Sequence, residues 1–204
     1  MTIILIIITC IISISAFSKH ELMYRLDFQP SAIQSNPAKE FYRFISHGFV
    51  HADWAHLLFN MLTFYFFAPN VENVFAYKFG EMGNVYFLLL YLGGIFISVI
   101  HTFEKNKFNY AYHAVGASGG VSSILFCSVL YFPMSDICLY GIICLPGIIW
   151  GGIYLAYSFY MSRNQANDYI NHDAHLFGAV YGIVLTLILD PSAFKGMLGQ
   201  IVGG

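Results

Sequence analysis

The stretch GASGGVSSILFCSVLYF at residues 116–132 has no charged side chain and opens on four small residues, Gly116, Ala117, Gly119 and Gly120, set around Ser118. Read as a span over 117–132, it is the shortest of six such runs. The others lie near residues 2–18, 55–71, 84–102, 138–160 and 173–189, and none has Asp, Glu, Lys or Arg in its central part. Crossing the hydrocarbon of a bilayer takes about 20 apolar residues in a helix. The pattern is continuously apolar rather than alternating, and lipid obliges each segment to satisfy its own backbone, so these runs are expected to be helices. The expected fold is an all-α membrane protein, six transmembrane helices in a compact bundle that forms one domain over residues 1–204.

Composition agrees with that expectation. Of the 204 residues, 58% are hydrophobic and 10% charged, and the mean hydropathy is +0.65. Soluble domains carry roughly 25% charged residues, so this chain has too few to cover a globular surface. A net charge of −2 without a basic run leaves nothing to neutralise a phosphate backbone, which argues against a nucleic-acid partner. Cys10, Cys127, Cys138 and Cys144 lie in or beside apolar runs with no CxxC pair, and read as small packing residues rather than as a disulfide or zinc framework. Residues 2–18 have no Lys or Arg before them and no small-residue cleavage motif after them, and are expected to stay as the first span. The connection over residues 19–54 is long, holds Pro30 and Pro37, and mixes aromatic with charged side chains. It is expected to lie half in the membrane interface.

With six spans, the N-terminal ends of spans 2, 4 and 6 open on one side of the membrane. Near those ends stand the most unusual polar residues: His56 and Asn60, then Ser118, then His172 and His175. His56 and Asn60 are spaced i, i+4 and share a helix face. His175 precedes Gly178 and Gly182, a GxxxG face that permits close approach to a partner helix, expected to be span 4. Polar side chains at membrane depth are costly unless paired and mark function by default. A serine and a histidine within hydrogen-bond reach make a nucleophile and general base, and two further donors suit a developing oxyanion.

These residues resemble the rhomboid intramembrane serine proteases. HxxxxHxxxN reads as His51, His56 and Asn60; GxSG reads as Gly116, Ala117, Ser118 and Gly119; AHxxGxxxG reads as Ala174, His175, Gly178 and Gly182. Tyr42-Arg43 before His47 and Glu72 after span 2 are similar to further family features, and the six-span core is similar to the compact bacterial form. The resemblance implies a Ser118–His175 dyad, an oxyanion hole lined by His56, Asn60 and the Ser118 backbone N–H, and hydrolysis of peptide bonds in or near the transmembrane segments of membrane-protein substrates. It implies no cofactor and no metal. Asp173, two residues from His175, falls on another helix face and is not read as a third member. His51 reads as fixing its loop, with His47, His51 and His172 suited to line a water path to the site. Pro146, Gly147, Gly151 and Gly152 make span 5 either a lateral gate or simply a close-packing helix.

Two departures from the family pattern stand out. The aromatic residue that the family commonly carries four positions after the nucleophile, against which the base packs, is Ser122 here, so His175 is expected to be held differently, by a hydroxyl contact or by another ring. The position three before the base is His172, an extra titratable group. Orientation is also contested: the loops on the active-site side hold seven of the nine basic residues, which by the positive-inside rule faces them to the cytoplasm. The resemblance implies an extracytoplasmic site in a bacterial inner membrane, and that reading is adopted because the first loop is long. A metalloprotease is set aside, since there is no HExxH and no carboxylate joins the histidines. A catalytically inactive rhomboid-like binding or chaperone factor is the alternative; it would normally have lost the dyad.

Overall fold

The computed structural model describes residues 1–139, 142–164 and 171–203. In chain order the elements are α1 (Thr2–Ser18), the short helices α2 (His20–Leu26), α3 (Pro30–Ser35), α4 (Pro37–Glu40) and α5 (Arg43–Ser46), then α6 (Trp54–Phe79), α7 (Gly83–Ser98), α8 (Ile100–Asn106) and α9 (Ser118–Tyr131). A hairpin of β1 (Asp136–Leu139) and β2 (Ile143–Pro146) leads to α10 (Gly147–Asn164), α11 (His172–Leu189) and α12 (Ser192–Val202).

α9 is the central helix, buried along nearly its whole length and flanked by α6, α7 and α11. Small residues make this possible. A methyl group added at Gly178 would stand 2.3 Å from the Gly119 carbonyl oxygen, and one at Gly182 would stand 2.4 Å from that of Ser123. The GxxxG face of α11 therefore packs backbone to backbone on α9, the partner expected for it. On the other side of α9, Gly120 lies against the Tyr91 carbonyl of α7. Fully buried aromatic and branched residues, among them Phe64, Phe75, Phe87, Tyr91, Ile95 and Ile124, fill the space between α6, α7 and α9.

The outside is apolar. α1 turns Ile3, Ile4, Ile7, Ile8, Ile11 and Ile14 outward while Thr2, Thr9 and Ser13 are buried, the reverse of a soluble helix. Leu58, Phe59, Leu62, Tyr65 and Phe66 of α6 and Val180, Val184 and Ile188 of α11 extend the exposed belt. An apolar surface of this extent belongs against lipid or protein rather than water. Among the described residues, the helical stretch Trp54–Asn106, which contains α6, α7 and α8, and the helix His172–Leu189 are long and apolar enough to cross a membrane. Thr2–Ser18 and Ser118–Tyr131 are apolar but shorter.

Two expectations are corrected. The stretch expected to be helical from residue 138 begins as the β1–β2 hairpin, and its helix starts only at Gly147. The hairpin pairs Cys138 with Cys144 directly across its strands, and the two form a disulfide. Strand register brought them together; a spacing of six residues in an apolar run gives no hint of it. Cys10 and Cys127 are free.

The first connection is an ordered substructure. Buried Arg43 donates to the Tyr24 and Asp27 carbonyls, to Asp27 Oδ1 at 2.9 Å and to Glu40 Oε2 at 2.6 Å. Phe28, Ile33 and Phe44 form its own small core with Val99 and Ala174. Tyr24, Phe41 and Tyr42 remain exposed on it, as suits a segment at a membrane interface.

Candidate active site

Three helix beginnings converge on one cavity of about 790 Å³. α6 starts cleanly because the Asp53 side chain accepts the His56 backbone N–H at 2.8 Å, an N-cap that sets the first turn. His56 and Asn60 follow one turn apart on the face that lines the cavity. The Asn60 amide donates one hydrogen to the His56 carbonyl at 2.9 Å, which orients the group and leaves its second N–H for the cavity.

Ser118 is the first residue of α9, where a backbone N–H has no partner within its own helix. The turn before it is held from the first connection. Gly116 N–H donates to the His47 carbonyl at 2.9 Å and Ala117 N–H to His51 Nε2 at 3.3 Å. Gly116 has a φ of +121°, outside the range of ordinary L residues. A methyl group there would also stand 2.7 Å from His56 Nε2, so the glycine is what lets that imidazole approach the serine turn.

His51 has both nitrogens engaged. Because Nε2 accepts from Ala117, Nδ1 carries the proton and donates to Ser13 Oγ at 2.9 Å, and that hydroxyl in turn donates to the Phe49 carbonyl. Burial pushes His51 down to about 3, aided by the nearby His56 and His47 and opposed by Asp53. Burial likewise lowers His47 to about 4, against the bond of its Nδ1 to the Arg43 carbonyl. Both rings are neutral and buried. The expectation that they line a water path is therefore corrected: the cavity wall on this side is Ala52, Asp53, Tyr112 and His113.

His175 enters from the first turn of α11. That helix is capped by Asn171, whose side chain accepts the Ala174 N–H at 3.1 Å. Ser118 and His175 both line the cavity, and contact of Gly178 with Gly119 fixes the separation of their two helices one turn away. His172 is buried rather than at the mouth, edge-on to Tyr157 at 5.5 Å and to His175 at 5.9 Å. Asp173 turns away from the cavity, as its separation from His175 required, and bonds to Ser162 of α10.

Tyr154, which sequence reasoning passed over, stands beside His175. Its ring stacks on that of His175, centroids 5.9 Å apart and planes 18° apart, and its hydroxyl bonds Ser122 Oγ at 2.7 Å. The only signal for it in the sequence was the missing aromatic at position 122. Tyr112 and His113 were also passed over; His113 Nδ1 bonds Asp27 Oδ2 at 2.8 Å and so ties the turn before α9 to the first connection.

A predominantly helical chain with an apolar exterior around a glycine-packed central helix belongs to the class of membrane-embedded proteins. Residues 38–192 match the Rhomboid domain. The Bacillus subtilis protein named "Putative rhomboid protease YdcA" is 34% identical over 149 residues, covering 73% of this chain and 67% of that protein. Two Arabidopsis thaliana proteins, mitochondrial RHOMBOID-like protein 12 and chloroplastic Rhomboid-like protein 11, are 26% and 30% identical over 74% of the chain. The chain spans about half the length of these plant relatives, 47% and 54%. This chain belongs to the rhomboid family, whose members are membrane-integral and usually serine proteases.

Proposed function

We propose that the protein is an intramembrane serine endopeptidase built on six membrane-spanning helices, α1, α6, α7, α9, α10 and α11, and that it cuts membrane-protein substrates in or near their transmembrane segments. The observation that carries this reading is the meeting of Ser118, His175, His56 and Asn60, from three different helices, in one cavity. Ser118 Oγ attacks the scissile carbonyl carbon while His175 takes the hydroxyl proton. His175 then delivers that proton to the leaving amine, giving an acyl-enzyme that water hydrolyses with the same base. His56, the free N–H of Asn60 and the Ser118 backbone N–H surround the position where the carbonyl oxygen gains charge. The reading adopts a bacterial inner membrane with the cavity opening to the extracytoplasmic side, as family membership favours.

Cleavage of a single-span reporter in proteoliposomes, with EDTA present, tests the reading. Wild type is expected to cut, and Ser118→Ala and His175→Ala to lose roughly 10⁴-fold or more while remaining folded. Should wild type be inert and a fluorophosphonate probe leave Ser118 unmodified, the chain is instead a non-catalytic binding factor for membrane proteins.

A further inference from the structure

We propose that Tyr154 of α10 is the positioning residue of the general base, and that its hydrogen bond to Ser122 latches α10 to the helix carrying the nucleophile. The inference rests on the Ser118–His175 reading above. Position 122, one turn beyond Ser118 on α9, holds a serine where a ring would be expected to back His175, and that serine is buried. Its hydroxyl instead holds the Tyr154 hydroxyl at 2.7 Å, which sets the ring nearly parallel to the imidazole. Phe126, one turn further along α9, packs against the Tyr154 ring, centroids 5.8 Å apart and planes tilted by 49°. The ring is thereby held at its hydroxyl and by a neighbouring ring, and it stacks on His175.

A second tyrosine–histidine pair, edge-on rather than stacked, lies one turn on. Tyr157 of α10 meets His172 of α11, so two tyrosines at i, i+3 face two histidines at i, i+3. Ser162 of α10 bonds Asp173 at the start of α11. α10 thus docks on the base-bearing helix through a row of polar and aromatic contacts, whereas α9 and α11 meet backbone to backbone. A helix held by side-chain contacts can separate more readily than one held by backbone packing. Displacing α10 withdraws the ring that orients His175, so the base is aligned only while α10 is seated.

The test uses the full-length protein in proteoliposomes, with two readouts: cleavage of the single-span reporter and the rate at which a small fluorophosphonate modifies Ser118. Tyr154→Phe keeps the ring and removes the latch, and is expected to slow both by about 2- to 10-fold, the value of one hydrogen bond. Tyr154→Leu removes the stacking face and is expected to slow both by about 10²-fold, the scale of a displaced catalytic group, through kcat rather than KM. Adding Ser122→Tyr to Tyr154→Ala, which returns a ring to the base from α9, is expected to restore at least a third of the rate lost. The proposal is overturned if Tyr154→Leu slows reporter cleavage but leaves fluorophosphonate modification at the wild-type rate, since Tyr154 would then only admit substrate. It is equally overturned if thermally stable Tyr154→Leu and Tyr154→Phe both match wild type. Failure of the dyad itself is separate, because wild type would then neither cut the reporter nor be modified at Ser118.

Discussion

His51 makes a bond that its cation could not make. Its Nε2 must stay unprotonated to accept the Ala117 N–H next to Ser118, and burial holds the ring neutral by lowering it to about 3. An unfolded histidine titrates near 6.5, so between about 6.5 and the folded values the unfolded chain binds protons at positions 47 and 51 that the native protein does not. Stability is then complete above about pH 6.5 and falls as pH drops, with a limiting slope of about 1.4 kcal/mol per pH unit for each histidine. Thermal unfolding in detergent is expected to show this loss between pH 6.5 and 4.5, and a flat profile over that range would count against it. At the same scale, Asn60→Ala removes one donor from the carbonyl site. It is expected to lower kcat by about 10²-fold with little change in KM, as steady-state cleavage would report.

Among the elements, the seam between α9 and α11 has the least tolerance. A methyl at Gly178 meets backbone at 2.3 Å, and backbone cannot rotate aside as a side chain can. Gly178→Ala is expected to force the helices apart, destabilising the protein by about 1–3 kcal/mol or more and abolishing cleavage, because Ser118 and His175 stand on either side of that contact. Gly196 of α12 is the internal comparison: a methyl added there would meet nothing within 4 Å, so Gly196→Ala is expected to be neutral or to gain about 0.5–1 kcal/mol from helix propensity. Denaturant unfolding of the two variants side by side measures the difference. If both behave alike, the close seam does not control the site.

The whole molecule has two unlike ends. The cavity end carries the first connection and most of the basic residues. The far end carries the hairpin disulfide and the cluster in which Lys78 of α6 and Tyr131 of α9 both reach Asp190 after α11. The basic excess and a disulfide on the opposite end each favour a cytoplasmic cavity; the proposed orientation is the opposite, with the cavity extracytoplasmic. Under that reading, Tyr110→Cys, at an exposed site on the cavity side, is expected to react with an impermeant maleimide in intact cells. Labelling of Tyr110→Cys only after permeabilisation reverses the orientation.

Short-range rules let the sequence alone determine the helical class, the apolar exterior and the placing of Ser118, His175, His56 and Asn60 at helix beginnings. Uncharged runs must satisfy their own backbones, caps and glycines mark where helices start and touch, and i, i+4 spacing fixes a shared face. What lay beyond it depended on which distant segments meet. The Cys138–Cys144 bridge follows from hairpin register, the burial of His47 and His51 from the folding of the first connection onto the serine turn, and the stacking of Tyr154 on His175 from the docking of α10. A ring that stacks on His175 can come from any helix that reaches it. Only the packing of α10 against α9 and α11 decided which one does.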